Sequence, residues 1–149
     1  MDTLNKDTLK ELGDIIQKNE DAWQGYKKAA EHVESRALMR YFSRKAEERN
    51  AFNANLRNTI RGYHKDFDTD GSILGTVHRG WMDLKSLFSS NNEEAMLEES
   101  IRGDKAALEE YDDVLEEALP IDVRDLLLSQ RARISQDIRQ NTRLEDLED

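Results

Sequence analysis

The chain reads as all-α: two antiparallel hairpins of long helices, joined by a crossover that carries a short extra helix. Three observations predict this. Proline occurs once in 149 residues, and proline is the residue that a helix interior tolerates least. The strong helix formers Ala, Leu, Glu, Lys and Arg are abundant. Apolar residues recur every three or four positions, the spacing of one buried helix face.

The first helix is expected over residues 3–33, with the stripe Leu9, Leu12, Ile16, Asn19, Trp23, Tyr26, Ala30 and Val33. After a break near Ser35, a second stripe runs Leu38, Phe42, Lys45, Arg49, Phe52, Leu56 and Ile60, and ends near Gly62. Gly71, Gly75 and the acid-rich 66–70 mark a connection. Ser72 can cap a shorter helix that carries Leu74, Val77, Trp81, Leu84 and Phe88 on one face. The run 89-SSNNEE-94 opens a fourth helix with Leu97, Ile101, Asp104, Leu108, Tyr111, Leu115 and Leu119, which Pro120 stops. The last helix starts near Ile121 and shows Val123, Leu127, Gln130, Ile134, Asp137, Asn141 and Leu144. The whole of 1–149 is expected to form one domain, with 144-LEDLED-149 fraying.

Each main helix is then roughly 25 residues, or about 40 Å, long. The two hairpins are joined by a crossover of about 28 residues, whereas a simple up-down bundle would need only short loops. That layout is the one of ferritin-like bundles.

Composition narrows the function. Twenty-two basic against 32 acidic residues give a net charge of −10, which repels nucleic acid and anionic membranes. With no cysteine, disulfides and thiolate metal sites are excluded. No stretch has the length of a membrane span, and 1-MDTLNKDTLKEL-12 lacks the pattern of a signal peptide, so a cytoplasmic location is expected.

Every main helix places a polar residue on its apolar stripe: Asn19, Arg49, Asp104 and Asp137. If the hairpins turn near residues 34–36 and 120, these four meet in one central layer. A buried arginine needs a carboxylate, which Asp104 or Asp137 can supply. A structural polar network is the favoured reading. The alternative is an iron or zinc centre held by Glu20, Glu47, Asp104 and Asp137. Dimetal carboxylate bundles use Glu-x-x-His on two helices, however, and His32, His64 and His78 follow Ala29, Arg61 and Gly75 at that spacing. Arg49 beside Glu47 also works against a divalent ion. Phosphate loops and nucleophile motifs are absent.

The stretch 66-DFDTDGSI-73 offers Asp66, Asp68 and Asp70 at calcium-loop spacing, but position twelve is Val77 where a bidentate Glu is required. A linker is the favoured reading. Trp23 and Trp81 are expected in the core, with Gly80 allowing close packing beside His78 and Arg79. His32, at the end of the first helix, suits the helix dipole.

Several segments together resemble a bacterial ferritin-like four-helix-bundle family of unknown function. They are 25-GYKKAAE-31, 46-AEERNAF-52, 72-SILGTVHRGWMDLK-85 and 102-RGDKAALEEYDDVL-115, and their most specific part is Gly75, His78, Arg79, Gly80 and Trp81. The resemblance extends from Leu4 to about Leu144. It implies the ferritin-like fold, no established activity, and some association with stress-response genes. The chain departs from the family pattern at Asp104-Lys105, where Glu-Asp is usual, and at Ile138, near a frequent histidine. Both changes remove potential ligands. The expectation is a non-enzymatic bundle without cofactor that acts through association, as a homodimer using apolar positions such as Met39, Leu87 and Met96; the alternative is a divergent metal-binding or peroxide-handling protein using Glu20, Glu47, Asp104 and Asp137.

Overall fold

The structure is a computed structural model that describes residues 4–67 and 93–140. Four helices account for most of them: α1 Lys6–His32, α2 Arg36–Arg61, α3 Glu93–Leu115 and α4 Ile121–Gln140. No strand occurs among the described residues. The predicted crossover helix, with His78, Arg79, Gly80 and Trp81, lies outside the described residues, as do Leu87, Asp68, Asp70 and the 144–149 tail.

The helix ends are set by local chemistry. Asn5 caps α1, its Oδ1 accepting from Thr8 N at 2.8 Å, and Ser35 caps α2, its Oγ accepting from Leu38 N at 3.2 Å. Glu93 Oε2 accepts from Glu34 N at 2.8 Å and Ser35 N at 3.1 Å, so the first turn of α3 holds the α1–α2 link. The other link contains Pro120, whose carbonyl accepts from Arg124 N at 3.0 Å as α4 begins. Arg124 Nη2 also donates to the carbonyls of Leu115 and Glu117, each at 3.0 Å, satisfying acceptors that the end of α3 leaves open. The helix therefore stops at Leu115, short of the predicted Leu119, because Arg124 provides a terminus before the proline does.

Cross-helix contacts give the directions. Lys18, Asn19 and Tyr26 on α1 meet Glu110, Tyr111 and Asp104 on α3, so these helices run antiparallel. Phe52 meets Gln130 and Tyr63 meets Asp122, so α2 and α4 are antiparallel too. Tyr41 and Lys45 meet Ser100 and Asp104 in the same order along α2 and α3, which makes this diagonal pair parallel. It follows that the end of α2 and the start of α3 lie at opposite ends of the bundle.

The apolar core falls into two clusters. One gathers Leu9, Leu12, Ile16, Leu56, Ile60, Phe67, Val114, Val123, Leu127 and Ile134 around Tyr111. The other gathers Ala22, Tyr26, Ala29, Leu38, Tyr41, Phe42, Ala46, Met96 and Leu97. Each fully buried large apolar side chain contributes about 1.5–3 kcal/mol. Between the clusters lies a layer of buried polar residues.

Several predicted core positions move by one residue. The inward face of α1 turns to Ala22, Tyr26 and Ala29, leaving Trp23, Ala30 and Val33 half-buried against the second cluster. Trp23 therefore sits at a margin, with Lys27 Nζ 4.8 Å from its ring centroid. On α2, Asn53 is buried where Phe52 was expected, because its Nδ2 satisfies the Ile16 carbonyl at 2.9 Å. Met96, expected as a flank residue, is 1% exposed in the core, whereas Met39 is 42% exposed.

Candidate functional site

The polar layer is built around Asp104. Its Oδ1 accepts from Arg49 Nη2 at 2.6 Å and from Tyr26 Oη at 2.9 Å, and its Oδ2 accepts from Lys45 Nζ. Lys45 Nζ also lies 3.6 Å from Asp137 Oδ2. Lys45, Arg49, Asp104 and Asp137 are each at most 2% exposed, so two cations are sealed in with two carboxylates. Neutrality is what makes this burial tolerable, since an unmatched buried charge costs several kcal/mol.

From this centre run two directed hydrogen-bond chains. In the first, Arg49 Nη1 donates to Asn19 Oδ1 at 2.8 Å, Asn19 Nδ2 donates to Tyr111 Oη at 3.1 Å, and Tyr111 donates to Gln130 Oε1 at 2.7 Å. Gln130 Nε2 then donates to the Phe52 carbonyl at 3.1 Å. In the second, Ser100 Oγ donates to Tyr26 Oη at 3.3 Å and lies 3.1 Å from Tyr41 Oη. The single Ser100 proton is spent on Tyr26, so Tyr41 is the donor to Ser100. Lys45 Nζ further stands 5.2 Å and 5.7 Å from the ring centroids of Tyr26 and Tyr41, within cation–π range.

At the α2–α4 edge the layer meets solvent. Asp137 Oδ1 accepts from Arg44 Nη1 at 3.1 Å, and Glu48 Oε1 accepts from Arg133 Nε at 2.6 Å. Burial, then the hydrogen bond and charge of Asp137, push the Glu48 carboxyl above its ordinary value. Burial works in the same direction on Asp137, but the Glu48 hydrogen bond, Lys45, Arg44 and Arg133 outweigh it and hold Asp137 below the usual range. The two carboxyls thus divide roles, Glu48 retaining a proton more readily and Asp137 staying ionised.

Burial also raises the three tyrosines. Tyr111 is pushed up to about 12. Tyr26 and Tyr41 rise further, by burial and then by the Asp104 charge. For Arg49, burial opposes the charge, but Asp104 and then Tyr26 more than offset it, so the guanidinium stays charged.

The four residues predicted to meet at the centre are all in this layer: Arg49 joins Asn19 to Asp104, and Lys45 joins Asp104 to Asp137. The carboxylates proposed beside them are placed differently. Glu20 is half-buried one residue along from Asn19, and Glu47 is exposed. At 3.6 residues per turn, one residue is a rotation of about 100°, so the carboxyl that reaches the site from this part of α2 is Glu48. The place a metal would take between Asp104 and Asp137 is held by the Lys45 ammonium. Among the described residues no group of three or more His, Cys, Asp or Glu is placed to hold a metal ion. The residues present therefore do not fit a dimetal centre. Asp66, the described member of the calcium-like triad, is exposed.

Sequence reasoning put Lys45 and Gln130 on the apolar stripes without giving either a partner, and it missed Ser100, Tyr41 and Glu48. The available signal was a second cation one helical turn before Arg49 on the same stripe. In His32, Nδ1 lies 2.8 Å from the Lys28 carbonyl in the last turn of α1, as a C-terminal residue should.

No helix among the described residues is long and apolar enough to cross a membrane. The sequence model of a family described as a domain of unknown function, DUF2383, matches residues 7–117. No curated protein matches the chain. The matched span runs from the first turn of α1 through α3 and ends before α4, shorter than the stretch from Leu4 to about Leu144 over which the resemblance was expected.

Proposed function

The chain belongs to the DUF2383 family of domains of unknown function, and we propose that it is a cytoplasmic, non-enzymatic ferritin-like bundle that works by association, first with a second copy of itself. The observation that carries the non-enzymatic part is Lys45. Its ammonium binds Asp104 Oδ2 and stands 3.6 Å from Asp137 Oδ2, while Arg49 and Tyr26 occupy Asp104 Oδ1, which leaves no open position for a metal between the two carboxylates. The order of helix directions supports the ferritin-like layout, because α2 ends and α3 begins at opposite ends of the bundle. The stress-linked setting implied by the resemblance belongs to the same reading.

Association rests on surface chemistry. Met39, Ile121 and Leu128 are 42%, 68% and 46% exposed, and such positions serve isologous pairing when they lie on one face. Two measurements test the proposal. Elemental mass spectrometry after exposure to iron, zinc and calcium, followed by dialysis, should find no stoichiometric metal; retained iron or zinc would overturn the non-metal reading, and retained calcium would point to the loop beginning at Asp66. Light scattering coupled to size exclusion should give twice the chain mass of 17.3 kDa; a strictly monomeric mass would remove self-association.

A further inference from the structure

Between α1 and α3 the packing thins. Ala22 on α1 and Gly103, Ala106 and Ala107 on α3 line a groove of about 320 Å³ that opens to solvent on one side. A Cβ built at Gly103 meets no atom within 4 Å, so the space beside it is not filled by a neighbour. This volume is in the range of small-molecule sites.

The groove reaches the buried network, since Tyr26 and Arg49 contribute to its lining. Arg49 is 2% exposed, and its Nη1 and Nη2 are engaged by Asn19 and Asp104. Its Nε–H has no hydrogen-bond partner. A buried guanidinium with an unused donor is an unmet demand for an acceptor oxygen, because native structures leave few such groups unpaired.

The charges define what kind of molecule suits the site. Lys18, Arg49 and Arg102 are positive, Asp21, Glu99 and Glu110 are negative, and three against three sum to zero. Lys18 pairs with Glu110, and Arg102 Nη1 pairs with Glu99 Oε2 at 2.6 Å. The walls thus give no net attraction to an ion, while the small apolar side chains favour an apolar surface. We propose that this groove binds a small uncharged organic molecule, apolar over most of its surface, with a carbonyl oxygen that accepts a hydrogen bond from the Arg49 guanidinium.

The test is a titration of the full, ¹⁵N-labelled chain with benzamide as the probe, following the Arg49 Nε–H resonance and the backbone amides of Gly103 and Ala106. Saturable shifts at all three are expected below about 10 mM, with benzoate, the same ring bearing a charge, binding about tenfold more weakly. Gly103→Leu should fill the groove and abolish the shifts while melting no lower than the parent chain. Absence of saturable shifts, benzoate binding as tightly as benzamide, or full benzamide binding by Gly103→Leu would each overturn the proposal.

Discussion

Lys45 on α2 reaches across the diagonal of the bundle to Asp104 on α3, and the two side chains are 0% and 1% exposed. Between apolar clusters on either side, this ion pair is shielded from the solvent that weakens surface pairs. Removing one partner should therefore cost far more than a surface charge would. Lys45→Met is expected to lose about 3–5 kcal/mol in urea unfolding, because Asp104 and Asp137 are left with one fewer cation. Adding Asp137→Asn to that variant should recover part of the loss, since it removes one of the stranded charges. A Lys45→Met chain as stable as the parent would show that Arg49 on Asp104 and Arg44 on Asp137 balance the layer without it.

Glu48 and Asp137 carry opposite shifts, and this gives a pH-dependent variant. A carboxyl raised above its unfolded value, as Glu48 is, stabilises most while protonated and loses that contribution as pH rises through its folded value. Glu48→Gln keeps an acceptor for Arg133 and removes the ionisation. It should stabilise the chain at pH 7, and the gain should disappear below the ordinary Glu value of 4.5. Chemical unfolding of both chains at pH 7 and at pH 4 checks this, and an equal effect at the two pH values would contradict it.

The contribution of Asp137 has the other sign. Its carboxyl is held below the unfolded value, so the stability it adds is present at neutral pH and is lost as pH falls through its folded value. Asp137→Asn should flatten the acid limb of the stability curve relative to the parent chain. An unchanged acid limb would place the acid sensitivity elsewhere.

Three of the four tyrosines are buried in or beside the network. In the unfolded chain a tyrosine ionises near 10.0, whereas Tyr111 holds its proton to about 12 and Tyr26 and Tyr41 hold theirs longer. Full stability is present below pH 10. Above it, each such group removes up to about 1.4 kcal/mol of stability per pH unit, because only the unfolded form gives up its proton. Phenolate absorbance should therefore rise together with the loss of helical circular dichroism. Ionisation of all tyrosines while the helices remain intact would refute the burial assigned to these rings.

Ser35 provides a smaller, local test. Its Oγ satisfies Leu38 N at the start of α2, so Ser35→Ala should cost about 1 kcal/mol, the usual value for a lost N-cap. Urea midpoints at constant slope measure it, and no change would mean that Glu93, already bonded to Ser35 N, holds the link alone.

The helical class, the break at Ser35 and the four polar positions Asn19, Arg49, Asp104 and Asp137 are all legible in the sequence, because a period of three and four marks a buried face and a polar residue on it stands out. Periodicity is less able to fix the phase of a helix to better than one residue. The side chains Ala22 against Trp23 and Glu48 against Glu47 differ by about 100° around the axis, and which one faces inward depends on two neighbouring helices at once. The end of α3 at Leu115 was hidden for a similar reason, since the group that satisfies it, Arg124, belongs to the next helix.

The order of residues along the chain is enough to settle the set of long amphipathic helices and the presence of buried charge within them. Partnership was decided only by tertiary structure. Asp104 takes Arg49 and Lys45 from α2 and Tyr26 from α1, across 55, 59 and 78 residues of chain. A buried carboxylate must find its donors, but their identity follows from which helices pack face to face and at what height, and no local pattern along the chain records that.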